Sequence, residues 1–181
     1  MSTLKRRDFI GAASLAAAAS AAGIAVAAET GGKPAGKPGR DASAEMKLGI
    51  IIGADEPEKG LERVTSLGFT TCEMGVENYS AGHAARVKKA LAASKVFPTA
   101  LICNGPGKLE WNFYGGPRTI GLVPPEHRAA RVARLKQGVD FCAAAGIPAL
   151  NSHFGFIPED PNDPLYEGFI AAAREAALYA K

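Results

Sequence analysis

Cysteine is scarce and its spacing is wrong for metal. Cys72, Cys103 and Cys142 are the only three, and no two of them form a CxxC pair. Zinc-ribbon and thioredoxin-type chemistry are therefore excluded. Only three histidines (His83, His127, His153) and one tryptophan (Trp111) occur, with no HExxH and no GxSxG. Zincin and nucleophile-elbow signatures are thus missing. Where a dinucleotide binder would carry GxGxxG, the turn after the first apolar strand reads GADEPEKG, and there is no GxxxxGK followed by Ser or Thr. A surplus of one charge is lacking too. There are 21 basic and 18 acidic residues, and residues 1–28 hold three of the former and one of the latter, which leaves 18 against 17. A nucleic-acid surface needs a basic excess or stripe, so no nucleic-acid partner is expected.

What is present begins with a leader. Residues 2–8, STLKRRD, place Arg6 and Arg7 before FIGAASLAAAASAAGIAVAA, an uncharged run rich in Ala and Gly. A cationic start, an apolar stretch and a small-x-small ending at Ala25-Val26-Ala27 describe an export signal over 1–28. The run is too weakly apolar for a permanent membrane span. KRRDFI resembles a twin-arginine signal, with Lys5 where Ser or Thr is usual. That resemblance implies export of an already folded chain by the twin-arginine machinery to the periplasm or beyond. Residues 29–45, dominated by Gly, Pro and small polar residues, read as a flexible linker. The folded part is expected at 46–181, with its three cysteines as buried free thiols.

From Met46 onward strands and helices alternate. MKLGIII (46–52) is continuously apolar, as expected of a strand covered on both faces. Strands are also predicted at 70–76, 97–104 and 147–155. Helices are predicted at 56–68, 81–95, 126–146 and 164–181, from apolar spacing such as Val132, Leu135, Val139 and Cys142. Four βα units imply a parallel sheet with right-handed crossovers. A complete TIM barrel needs eight units and about 250 residues, so four units make half of one.

Several residues could carry chemistry. His153 falls at the end of the fourth strand, where barrel enzymes place functional groups; the alternative is a histidine that organises the loop after it. Glu73 is a carboxylate inside an apolar strand. It must be paired or face a cleft, and a hydroxyl ligand and a buried salt bridge both fit. Asn104 closes the third strand before Gly-Pro-Gly, where holding the turn is the simpler use. Trp111, Phe113 and Tyr114 lie in a connection, 105–125, longer than usual; they could stack on a sugar or pin the loop. Asp160 and Asp163 in PEDPNDP read as turn formers. Arg128, Arg131 and Arg134 read as the solvated face of the third helix.

The leader, MKLGI, CEMGV and the run TIGLVPPEHRAARVARLKQGVDFCAAAGIPALNSHFGFIPEDPNDPLY together resemble the sugar phosphate isomerase/epimerase family, the xylose isomerase-like TIM barrels, and specifically its exported members. The resemblance covers 46–181 and implies a (βα)4 N-terminal half of such a barrel, inactive by itself. It implies a sugar or polyol substrate whose proton moves between adjacent carbons with the help of a divalent cation (Mn, Mg or Zn). The family's metal ligands come from strands five to eight, so none is assigned in this chain. Glu73, Asn104, Trp111 and His153 map to the substrate-facing rim. Self-association of the open half into a homo-oligomer is also expected. Two alternatives stand beside this: a non-catalytic carbohydrate-binding or dimerising half barrel, and a type IV endonuclease-like enzyme, which needs more zinc-binding histidines than three.

Overall fold

The computed structural model describes residues 46–181; the leader and linker readings lie outside them. Nine elements follow in order: β1 (Gly49–Gly53), α1 (Pro57–Ser66), β2 (Thr71–Gly75), α2 (Ala81–Ala93), β3 (Phe97–Ile102), α3 (Gly116–Thr119), α4 (Pro125–Ala145), β4 (Leu150–Asn151) and α5 (Tyr166–Tyr179). The strands form one parallel sheet in the order β1-β2-β3-β4. Four βα units in sequential order are the predicted arrangement.

Local chemistry sets the helix starts. Pro57 opens α1 and Pro125 opens α4, where the missing N–H costs nothing. Ser80 caps α2, its hydroxyl accepting from the His83 backbone N–H. The four longer helices, α1, α2, α4 and α5, then turn an apolar stripe onto the sheet. Ile52, Met74 and Leu101 meet Leu61, Val64, Val87 and Phe141 in one core. Cys103, Val132, Leu135 and Phe169 continue it under α4 and α5. All three cysteines are buried and free.

The other face of the sheet is bare, which corrects the expectation for the first strand. Ile50 and Ile52 pack toward the helices, whereas Ile51 between them is 69% exposed. Alternate side chains of a strand point to opposite faces, and no element covers the second face among the described residues. The strand also begins at Gly49, later than Met46. Register places Ile51 beside Glu73, and Ile102 beside Asn151, so the exposed face carries both apolar and polar groups at its C-terminal end.

The fourth strand is shorter than the predicted 147–155. Only Leu150 and Asn151 join the ladder with β3, because the chain comes alongside β3 only at Ala149 and turns off into the loop after Asn151. Leu101 N–H donates to Ala149 O at 2.9 Å and Cys103 N–H to Asn151 O at 2.8 Å. Beyond Asn151 the chain leaves the sheet. Along this edge an open apolar groove of about 640 Å³ runs between β4, α4 and the end of α5. Among the described residues, no helix is long and apolar enough to cross a membrane.

Candidate functional site at the strand ends

Two loops meet at the C-terminal end of the sheet. One is the connection from β3 to α4, residues 103–124; the other follows β4. The first loop packs on the second at Gly121, whose φ of +76° and contact with the Phe154–Gly155 backbone leave no room for a Cβ. Leu122 N–H donates to Phe154 O at 3.0 Å, which zips the two loops together. Trp111 thereby comes to lie against His153, ring centroids 4.8 Å apart and planes at 72°. Phe113 meets Phe156 edge-on at 5.9 Å.

These side chains line an open pocket of about 330 Å³, walled chiefly by Trp111, Asn112, Phe113, Ile120, His153 and Phe156. Its size suits a monosaccharide-sized ligand, and mostly apolar walls with a few polar groups, here Asn112 and His153, are what small-molecule sites show. Trp111 remains 57% exposed, so part of its ring is open to a ligand. The groove along β4 is larger, is lined mostly by small apolar side chains with Asn151 and Ser152 among them, and shares Phe154 with this pocket, but it holds neither the tryptophan nor the histidine. The smaller cavity is the chemically equipped one.

Of the four predicted rim residues, three converge. His153 and Trp111 form the cavity wall, and Asn104 supports them: its side-chain oxygen accepts from the His153 backbone N–H at 3.1 Å. Asn104 thus does hold a turn, the one that presents His153. Glu73 lies deeper on the open face and lines a different surface. Among the described residues neither lysine nor arginine pairs with it; Asn151 Nδ2 donates to Glu73 Oε1 at 3.4 Å, a long and weak bond. Asn151 was missed from the sequence, although it stands two residues before His153 and so on the same face of the strand predicted at 147–155. Asp160 accepts from Asn162 and Asp163 from the Leu165 N–H, the turn-building role expected of them.

The arginines of α4 overturn their reading as a solvated face. Arg131 is 1% exposed. Its Nε donates to Pro106 O at 3.2 Å, Nη1 to Gly121 O at 2.7 Å and Nη2 to Thr119 O at 2.6 Å. Arg128 donates to Leu122 O and Val123 O, and the Arg134 guanidinium lies 4.7 Å over the Tyr79 ring. Burial lowers the Arg131 pKa below its ordinary value, with Glu126 opposing. Arginine still stays protonated, so a full charge is held by neutral carbonyls. On the outer loop Lys108 bonds Glu110 at 2.9 Å, and this bond, with a further contribution from Arg118, holds the Glu110 carboxyl below the usual range.

No protein-family model matches the chain. Nor does any curated protein sequence match it. Its fold is similar to that of a xylose isomerase domain protein from Planctomyces limnophilus, with a TM-score of 0.66 and 25% identity over 74% of this chain and 50% of that one. Two others are a 3-keto-D-glucoside 4-epimerase from E. coli (TM-score 0.46, 14% identity, 75% of this chain and 53% of that one) and a D-allulose 3-epimerase from Methylomonas sp. (0.47, 16%, 74% and 48%). The chain spans about half the length of each. With its four parallel strands and alternating helices, the chain is a (βα)4 half of a xylose isomerase-like TIM barrel.

Proposed function

We propose that this chain is the N-terminal half of an exported sugar isomerase or epimerase, and that its rim binds the sugar while the complementary half supplies the proton-transfer machinery. The observation that carries the reading is the Trp111–His153 pair over an aromatic cavity at the strand ends of a xylose isomerase-like half barrel. An aromatic ring covers the apolar face of a sugar, and the imidazole can bond a hydroxyl. Glu73 and Asn151, lower on the open face, offer an acceptor and a donor toward the barrel interior.

A divalent cation belongs to the same proposal, with its ligands drawn from the complementary half. No three His, Cys, Asp or Glu side chains converge among the described residues, and Glu73 and His153 do not meet. The cation's ligands are assigned to the other half, and the residues described here bind and orient.

Trp111 is the only tryptophan, so its emission reports the rim directly. Titrating the chain with D-fructose and D-xylose is expected to shift that emission, with dissociation constants on the order of 1 mM. Ligand-observed NMR on Trp111→Ala and His153→Ala should show binding weakened about tenfold, or about 1.4 kcal/mol. Chelator should leave binding unchanged. Binding that is absent, or indifferent to both substitutions, would overturn the carbohydrate reading.

Export is the second element of the proposal. Expressed in a bacterium with a twin-arginine system, the chain is expected in the periplasm, where its mature form sediments above monomer mass through the open sheet face. The Arg6→Lys, Arg7→Lys double variant should stay in the cytoplasm. Periplasmic recovery of that double variant would refute the route, and a strictly monomeric mature chain would refute self-association.

A further inference from the structure

We infer that Arg131 is the positioning residue of the rim, setting Trp111 against His153 through two separate tethers without touching either ring. The inference rests on the reading of that pair as the sugar site, and it assigns a role to a charge otherwise unexplained. A buried guanidinium with no carboxylate partner is costly. Here its fork of donors is satisfied by three backbone carbonyls that lie at both ends of one loop: Pro106 on the way out of β3, Thr119 and Gly121 on the way back. Gly105 packs directly on the Arg131 stem, where a Cβ would collide with it. The local sequence is thus fitted to this side chain.

Each gripped carbonyl on the return leg leads to one member of the pair. On the first tether Thr119 gives its carbonyl to Arg131, while its hydroxyl accepts from the Glu110 N–H at 3.0 Å and donates to Gly115 O at 2.9 Å. Glu110 immediately precedes Trp111. On the second, Gly121 gives its carbonyl to Arg131 and packs on the Phe154 backbone, with the Leu122 N–H closing onto Phe154 O. Phe154 immediately follows His153. One guanidinium therefore fixes the spacing between the loop that carries the tryptophan and the loop that carries the histidine. Lysine, a single point charge, cannot span three carbonyls in this geometry.

The test uses the full chain and separates placement from stability. Arg131→Met and Thr119→Val are compared with Val132→Ala, which removes buried volume from the same helix without touching either tether. In Arg131→Met, still folded by far-UV circular dichroism, acrylamide quenching of Trp111 should approach that of the unfolded chain, and D-fructose affinity should fall about tenfold or more. Thr119→Val cuts the first tether alone and should loosen Trp111 with little loss of folding, so it decides the matter if Arg131→Met fails to fold. Val132→Ala should lower the melting temperature and leave both readouts at wild-type values. Wild-type quenching in folded Arg131→Met or in Thr119→Val overturns the inference, as does an equal change in Val132→Ala. If the unaltered chain binds no sugar, the carbohydrate reading fails, and the quenching arm decides the placement by itself.

Discussion

Gly121→Ala is expected to destabilise the fold by roughly 2–4 kcal/mol, the sum of a left-handed backbone penalty and a collision with fixed backbone. The residue adopts φ +76°, and a Cβ there would sit inside the van der Waals envelope of the Phe154 carbonyl group and the Gly155 nitrogen. Neither neighbour is a side chain that can swing away. Gly146 separates the two contributions, since it caps α4 at φ +78° with nothing within 4 Å of its Cβ position. Gly146→Ala should therefore cost only about 1 kcal/mol. In thermal melts the Gly121 variant should fall by roughly 10 °C and the Gly146 variant by about a third of that. Equal losses would show that the two loops do not dock as tightly as the contact at Gly121 requires. The Gly121 change should also free the Trp111 ring, because it opens the zipper that brings the two loops together.

The frame of the molecule was legible because it depends on periodicity, which a single sequence carries. Val132, Leu135, Val139 and Cys142 were placed on the inward stripe of α4 by spacing; three of them are buried and Val139 is half-buried. Strand limits were less legible, because ladder length depends on the neighbour. Residues 147–155 have a strand's composition, yet only Leu150 and Asn151 find a partner at the edge. MKLGIII reads as doubly covered, but one of its faces is open. Composition reports what a strand can tolerate, and coverage is decided by elements elsewhere in the chain.

Arg131 is the instructive miss. Arg128, Arg131 and Arg134 span an arc of about 120° on a helix of 3.6 residues per turn, and the middle of that arc is the buried stripe. Arg131 precedes Leu135 by four residues and Gly138 by seven, both of them buried. Reading residue type first assigned the charge to solvent. Reading position first would have placed it under the loop, where only backbone carbonyls were available to hold it. The site shows the same division. That His153, Trp111 and Asn104 lie together was legible, because a strand end and a long aromatic loop are visible features, whereas the Glu73–Asn151 contact joins residues far apart in the chain across an intervening strand.

The cysteines define the second large effect, at alkaline pH. Cys72 and Cys142 are buried, and burial pushes each thiol up to about 11; Cys142 is raised further by Cys103. Cys103 and Tyr79 are raised as well, again chiefly by burial. In an unfolded chain a thiol ionises near 8.5. Above that pH the unfolded state releases protons that the folded state retains, so the equilibrium is drawn toward unfolding. The thiol contribution is therefore fully present below about pH 8.5 and is lost as pH rises through about 11. Each of Cys72 and Cys142 should account for roughly 1–2 kcal/mol of that loss, the lower part of the range applying where water reaches the opened core. Urea midpoints measured from pH 8 to 11 should fall steadily, and the slope should be shallower in Cys72→Ala than in the unaltered chain. A midpoint independent of pH over this range would refute the linkage. The same burial makes the thiols silent: a thiol reagent at pH 8 should label none of the three in the folded chain and all three in denaturant. Inert thiols leave no partner for disulfide exchange, so the fold's integrity rests on the packing of its core.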